Sequence, residues 1–218
     1  IAAIIKDGIQ KMYVENKNYF YYITTMNENY EQPEMPEGSE EGIIKGLYKF
    51  KSCNNPQVRL VGSGSILRES IKAAKLLQNY GIDSEVWSAT SFNLLRKEGM
   101  EVERENQLNP TLEQKTSYVS ECFNDSDIPI IATTDYMRSY AEQIRPYITS
   151  QYTVLGTDGF GRSDSREKLR EFFEIDSSSI TRAAAYSLFK ENKIDKVMLE
   201  KIYNDMNIDA SKPNPWEV

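Results

Sequence analysis

Val58-Arg59-Leu60-Val61-Gly62-Ser63-Gly64-Ser65 is the stretch that decides the fold class. Its first four residues are mostly apolar and predict a strand, and the glycines and serines that follow predict a tight turn. Apolar residues then recur at helical spacing, at Leu67, Ile71, Ala74 and Leu77. Gly81 closes this pattern, as glycine often does at a helix end. A strand that turns directly into a helix is the building unit of α/β sheets.

The same alternation continues along the chain. Further strands are predicted at Glu85–Thr90, Pro129–Thr134 and Thr153–Leu155, with an edge strand before them at Ile43–Phe50. A short helix is predicted from Asn93 to Lys97, and another is expected to be capped by Asp135, to bury Met137, Tyr140, Ala141 and Ile144, and to end at Pro146. The segment 98–127 gives no clear pattern. We therefore predict an α/β protein, a three-layer α/β/α arrangement with a mostly parallel sheet of about five strands.

Three helices are predicted to close the chain. Asp164 is the expected cap of the first, with Glu167 three residues on. The second begins at Ser177–Ser179 and buries Ile180, Ala184 and Leu188, and the third is capped by Asp195.

Composition excludes several classes of protein. The 218 residues are 39% apolar and carry a net charge of −7, with no histidine. The acidic balance disfavours nucleic-acid and anionic-membrane partners, and no apolar run is long enough for a membrane helix. The absence of histidine removes imidazole bases and histidine-ligated metal sites. Two cysteines, Cys53 and Cys122, are too few for a disulfide scaffold and suit a cytoplasmic protein.

The first forty residues predict three features. Ile1, Ile5 and Ile9 favour an amphipathic helix over residues 1–14 that starts without a capping residue, so the chain is expected to be cut from something longer. A processed or partly ordered terminus is the other interpretation. The aromatic run Asn18–Thr25 predicts a strand buried on both faces. Residues 31–42, with two prolines and two glycines, predict a linker.

Two glycine-rich turns are candidate binding sites. Gly62–Ser65 stands where a helix begins and could hold a phosphate, but it lacks the third glycine of a dinucleotide fingerprint and the Gly-Lys-Ser/Thr of a P-loop. A tight turn is the favoured alternative. The loop 156–166 contains two arginines that could clamp a carboxylate or phosphate. It could instead be an interface loop in which Asp158 and Asp164 accept backbone hydrogen bonds while the arginines pair internally, and this second interpretation is favoured.

Several runs in collinear order resemble the C-terminal region of homodimeric bacterial pyruvate dehydrogenases, the thiamine-diphosphate-dependent first component of the pyruvate dehydrogenase complex. The runs are Tyr21–Tyr30, Met35–Gly38, Leu60–Arg68, Thr90–Phe92, Thr134–Met137, Val154–Arg166, Leu169–Arg170 and Phe173–Asp176. The shorter Gly-x-Asp-x-Phe-Gly-x-Ser core also resembles the C-terminal domain of transketolase.

The resemblance implies a division into two parts. Residues 1–36 would be the end of the preceding pyrimidine-binding domain plus a linker, and residues 37–218 a transketolase-like C-terminal domain. The intact enzyme would decarboxylate pyruvate with thiamine diphosphate and Mg²⁺ and pass the acetyl unit to the lipoyl group of dihydrolipoyl acetyltransferase. The family's Gly-Asp-Gly motif for Mg²⁺ and diphosphate does not occur in the chain. We therefore expect no catalytic, cofactor-binding or metal-binding residue in it, and no activity of the chain by itself.

The resemblance also implies partners. They are a second copy of the chain, in a homodimer, and the acetyltransferase, with no nucleic acid and no membrane. The residues expected at a domain or subunit interface are Asp158, Phe160, Arg162 and Asp164. The alternatives are a freestanding anion-binding module that uses the loop 156–166, and a transketolase C-terminal domain.

Overall fold

A computed structural model describes residues 1–27 and 29–218 of the chain. Glu28, which belongs to one of the runs that carry the resemblance, lies outside the described residues. Over the described part, five strands form one sheet: β1 Leu47–Lys51, β2 Val58–Ser63, β3 Ser84–Ala89, β4 Ile130–Thr133 and β5 Tyr152–Leu155. Their spatial order is β1-β3-β2-β4-β5, and only the β1–β3 pair is antiparallel. The predicted fold class and the mostly parallel sheet are thus confirmed.

Helices cover both faces of the sheet. The α-helices of the described part are α1 Ala2–Ile9, α2 Glu40–Lys45, α3 Leu67–Gln78, α4 Phe92–Leu108, α5 Tyr118–Phe123, α6 Ser139–Glu142, α7 Arg166–Phe172, α8 Ser177–Lys190 and α9 Lys196–Asp205. A π-helical turn, Gln10–Val14, continues α1, and short 3₁₀ turns occur at Gly64–Ile66, Arg145–Tyr147 and Pro215–Glu217.

Alternate residues of the strands supply two separate cores. Leu60, Val86 and Ile131 pack with α3, α8 and α9, whereas Val61 and Ala132 pack with α4 and α5 on the opposite face. Because both faces are covered, the central strands β2, β3 and β4 are buried at nearly every position, as is usual in parallel sheets. The strands at 58–61, 85–90, 129–134 and 153–155 were therefore the easiest elements to predict.

The predicted aromatic strand at Asn18–Thr25 is wrong. This segment has no strand alongside it in the described part of the chain, and Phe20 and Tyr22 are 88% and 89% exposed. Only Tyr21 turns inward, where its ring lies against Gly8 and its hydroxyl donates to the Asp7 carboxylate. High strand propensity does not make a strand unless neighbouring strands satisfy its backbone groups.

Other predicted boundaries shift. Glu40–Lys45 is helix α2, so the linker ends earlier than residue 42 and the edge strand begins only at Leu47. Helix α4 runs to Leu108 rather than to Lys97, because its later turns are exposed residues with good helix propensity and no apolar pattern marks them. The helix expected after Asp135 is reduced to the single turn α6, and Asp135 does not cap it.

Candidate functional site

The carboxyl edge of the parallel sheet holds both glycine-rich turns. The chain passes from β2 to β3 on one side of β2 and then to β4 on the other side. The carboxyl ends of β2 and β4 therefore form a topological switch point, the place where open α/β sheets usually bind ligands. Gly62–Ser65 leaves β2 at this point, and the loop 156–166 leaves β5 beside it.

Hydrogen bonds fix the base of the loop 156–166. The backbone N–H of Thr157 donates to the carbonyl of Tyr136 at 2.9 Å, and its hydroxyl donates to the carbonyl of Asp135 at 2.9 Å. A Cβ on Gly156 would lie 2.8 Å from the same Tyr136 carbonyl oxygen, so the loop can approach the neighbouring segment only with glycine there.

The side chain of Asp158 holds the loop against the segment that follows β4. Its carboxylate accepts a hydrogen bond from the backbone N–H of Arg138 at 3.1 Å and lies 3.4 Å from the Nε of the same residue. The guanidinium of Arg138 in turn stacks on the ring of Trp216, 5.2 Å from its centroid. Gly159 has a φ of +96°, and a Cβ there would lie 2.8 Å from the Cα of Trp216. The loop is therefore held by both the segment after β4 and the C-terminal 3₁₀ turn.

The next residues of the loop face outward. Phe160 is 80% exposed, and the exposed Arg162 places its guanidinium 5.5 Å from the ring centroid of Phe172. Asp164 accepts from the backbone N–H of Ser165 at 2.6 Å but does not cap α7. Ser165 is the cap, since its hydroxyl accepts from the N–H of Lys168, and the predicted cap is therefore one residue out of place.

The four residues expected at an interface thus have two kinds of environment. Asp158 and Asp164 each accept a backbone hydrogen bond within the loop region, and Phe160 and Arg162 present surface to solvent. Each of the four side chains contacts different neighbours, so the four do not meet in one cluster.

Sequence analysis missed the apolar side chains that surround this loop. Tyr136, Met137, Tyr140 and Trp216 are exposed, and together with Phe160 we call them the aromatic rim. The rings of Tyr136 and Tyr140 lie 5.1 Å apart. Met137 and Tyr140 were expected on the buried face of a longer helix, but α6 is a single turn and both side chains are exposed.

The turn at Gly62–Ser65 joins β2 closely to the helix that follows it. A Cβ on Gly62 would lie 2.5 Å from the Cα of Leu67, so this glycine allows the helix to start against the strand, as the favoured interpretation predicted. The hydroxyl of Ser65 donates to Asp135 at 3.4 Å. Burial raises the pKa of Asp135, although Ser65 and two nearby arginines act in the opposite direction. A carboxylate at the turn is an unfavourable neighbour for an anion.

Among residues 1–27 and 29–218, no three cysteine, aspartate or glutamate side chains lie close enough together to hold a metal ion. A Mg²⁺ site built from three or more protein carboxylates therefore does not occur among these side chains. No described helix is both long and apolar enough to cross a bilayer.

The chain is similar to known enzymes over its whole length. It is 47% identical to the pyruvate dehydrogenase E1 component of Cupriavidus necator, 50% to that of Pseudomonas aeruginosa and 48% to that of Escherichia coli K12, over 99–100% of the chain. It spans about a quarter of the length of these relatives, 25% in each case.

Solved structures show the same fold at lower identity. A transketolase from Pichia stipitis matches with a TM-score of 0.52 and 18% identity over 75% of this chain and 21% of that chain. A transketolase from Leishmania mexicana matches with a TM-score of 0.51 and 20% identity over 70% of this chain and 19% of that chain.

Two family models cover different parts of the sequence. The pyruvate dehydrogenase E1 component middle domain matches residues 1–33, and the transketolase-like TK C-terminal domain matches residues 46–176. The second match includes all five strands, both glycine-rich turns and most of the aromatic rim. The chain therefore belongs to the family of transketolase-like C-terminal domains, in the form that bacterial pyruvate dehydrogenase E1 components carry.

Proposed function

We propose that this chain works as the assembly-forming C-terminal part of a pyruvate dehydrogenase E1 component and supplies no reacting group itself. The observation that carries the proposal is the 47–50% identity to E1 components along the entire chain. The transketolases are only 18–20% identical, which favours the E1 assignment over the transketolase alternative.

The proposal divides the chain near the start of α2. Residues 1–36 complete the preceding pyrimidine-binding domain and connect it to the rest, and residues 37–218 are the transketolase-like domain. The exposed face of α1 supports this division, since Ile1, Ile5 and Ile9 are 48–65% exposed and would pack against further protein.

The enzyme to which the chain contributes would decarboxylate pyruvate with thiamine diphosphate and Mg²⁺ and acetylate the lipoyl group of dihydrolipoyl acetyltransferase. Thiamine diphosphate would supply the carbon that attacks the keto group. The family's Gly-Asp-Gly motif for the metal and diphosphate is missing from the sequence, so the proposal assigns binding of this group to other parts of the enzyme. The two cysteines are half-buried free thiols, in keeping with a cytoplasmic enzyme.

The contribution of this chain is contact with a second copy or a neighbouring domain. Phe160 and Arg162 project from a loop whose shape is set by the hydrogen bonds of Asp158 and Asp164. Exposed aromatic and arginine side chains are the types enriched at protein interfaces. The aromatic rim extends this surface. The alternative of a freestanding anion site is disfavoured because Arg162 lies on Phe172 and Arg166 donates to Asn27.

Substitution of the outward residues in a full-length E1 component tests the proposal. Arg162→Ala and Phe160→Ala should weaken dimer formation in sedimentation equilibrium, with pyruvate turnover per dimer unchanged. Arg104→Ala, on the exposed side of α4, is the matched control and should change neither quantity. Normal assembly of both loop variants would refute the interface, and lost turnover in intact dimers would refute the assignment of a purely assembling role.

A further inference from the structure

Three arginines converge on one short segment near the start of the chain. Arg68 from α3 and Arg166 and Arg170 from α7 contact Asn27, Tyr30 and Glu31, and we call these arginines the arginine clamp. The clamp joins parts of the sequence that lie up to 140 residues apart. It also joins the region matched by the E1 middle domain, residues 1–33, to the transketolase-like domain.

Tyr30 is the centre of the contact. The Arg68 guanidinium lies 4.4 Å from the centroid of its ring, and the guanidinium of Arg170 lies 5.9 Å from it. Arg170 also donates through Nη2 to the Tyr30 hydroxyl at 3.2 Å. A guanidinium over an aromatic face is attracted by the ring's electron density, and a hydroxyl acceptor fixes the direction of approach.

Neighbouring contacts hold the segment on either side of Tyr30. Arg68 donates through Nη1 to the backbone carbonyl of Glu31 at 3.3 Å, and Arg166 donates to the side-chain carbonyl of Asn27. The arginines therefore recognise a ring, a backbone carbonyl and an amide.

A buried carboxylate sets the position of Arg170. Glu69 has a side chain only 6% exposed and accepts from Arg170 Nη1 at 3.3 Å. The same carboxylate accepts from Lys72 and from the backbone N–H of Ser177 at the start of α8. These contacts of Glu69 hold Arg170 between α3 and α8 independently of Tyr30. Less side-chain entropy is therefore lost when Arg170 binds the segment.

The clamp lies at the switch point of the sheet. Nη2 of Arg170 also lies 3.5 Å from the hydroxyl of Ser65, so the clamp stands directly at the carboxyl end of β2. We infer that the arginine clamp is an internal docking site, occupied by the segment that bears Asn27, Tyr30 and Glu31, and that it fastens the middle-domain region onto the transketolase-like domain. The clamp and its segment thus lie at the edge of the sheet where open α/β sheets usually bind ligands.

Limited proteolysis of the full chain tests this inference. A glutamate-specific protease can cut the Glu31–Gln32 bond, whose carbonyl Arg68 holds, and the exposed Glu113–Gln114 bond, which has the same two residues and lies outside the clamp. In the native chain the first bond should be cut much more slowly than the second. Cutting at Glu113 serves as the internal reference for folding and protease activity.

Variants of the clamp should raise the cutting rate at Glu31 relative to the cutting rate at Glu113. Arg68→Ala is expected to raise it about fivefold, which corresponds to about 1 kcal/mol of opening free energy at 1.36 kcal/mol per tenfold. Tyr30→Ala should raise it at least as much, and Tyr30→Phe less, because the ring stays on Arg68. Short peptides that span the Glu31–Gln32 bond, with and without the substitutions at Tyr30, correct for the sequence preference of the protease. Arg104→Ala is the matched control.

The outcome decides the inference without reference to enzyme activity or dimer formation. A ratio that rises in Arg68→Ala and Tyr30→Ala but not in Arg104→Ala supports the docking site. Equal cutting of both bonds in the native chain, or no change in Arg68→Ala, overturns it. Arg68 is a half-exposed helix residue, so its replacement leaves the cores intact and keeps the test valid.

Discussion

Arg59 is a buried cation, and its replacement is the strongest available test of how the sheet is held. Only 2% of its side chain is exposed. Its guanidinium donates to Glu85 at 3.0 Å, to the carbonyl of Phe123 at 2.7 Å, and to the Asp125 carboxylate. Burial raises the pKa of Asp125, but the hydrogen bond and charge of Arg59 outweigh it and leave that pKa lowered. Arg59 therefore ties β2 to β3 and to the end of α5.

The expected cost of Arg59→Met follows from the groups it leaves behind. Removal of one partner from a buried ion pair costs about 3–5 kcal/mol, because the other charge remains in a poorly solvated place. Glu85 keeps two other partners, Lys49 at 2.6 Å and the indole N–H of Trp87 at 3.1 Å, which favours the lower end of that range. The carbonyl of Phe123 loses its donor, which adds about 1 kcal/mol. We expect a loss of about 3–4 kcal/mol in the free energy of unfolding.

Urea unfolding followed by tryptophan fluorescence measures this loss. Trp87 is a suitable reporter because it is 5% exposed and its ring lies 5.0 Å from that of Phe123. The matched control is Lys97→Met, which breaks an exposed pair with Glu101 and should cost less than about 0.5 kcal/mol.

A double variant identifies the cause. Adding Glu85→Gln to Arg59→Met removes a buried carboxylate charge that has lost one of its two cationic partners, and it should recover part of the lost stability. A loss below 1 kcal/mol in the single variant would refute the reasoning, and so would a double variant that is no more stable than the single one.

Two further predictions concern single positions. Gly99→Ala should lower the free energy of unfolding by about 1–3 kcal/mol, because the new Cβ would overlap the buried ring of Tyr147. This loss is expected although alanine normally favours a helix. Gly161→Ala, whose Cβ would have nothing within 4 Å, is the control and should be tolerated in the same thermal melt. Asp135→Asn should be more stable than the native chain at pH 7, because a raised folded-state pKa means that the ionised form opposes folding, and the gap in urea midpoints should close as the pH falls toward the unfolded pKa of 3.8. A Gly99→Ala chain as stable as the native one, or a gap that does not depend on pH, would contradict these arguments.

The elements predicted correctly are those whose local pattern and tertiary role agree. Residues 58–61 and 129–134 are mostly apolar because both faces of the sheet are covered, and Asp195 caps α9 as its position before an apolar helix indicates. Local signals of this kind need no knowledge of distant residues.

The errors occur where the answer depends on a distant partner. The aromatic run 18–25 has strand propensity but no strand beside it, and Met137 and Tyr140 have helical spacing on a segment that forms only one turn. Asp158, Phe160, Arg162 and Asp164 were named from the loop itself, and their place at an interface stays a prediction. Trp216 and Arg138 were missed because their contact with that loop joins separate parts of the chain.

We expect this chain to supply contacts while the reaction centre lies elsewhere in the enzyme. Isothermal titration of the purified chain with thiamine diphosphate and Mg²⁺, followed by an assay for CO₂ release from pyruvate, tests it most directly. The account predicts no saturable heat of binding and no CO₂ above the rate without protein. Saturable binding at micromolar cofactor, or release of CO₂ by the chain alone, would contradict it.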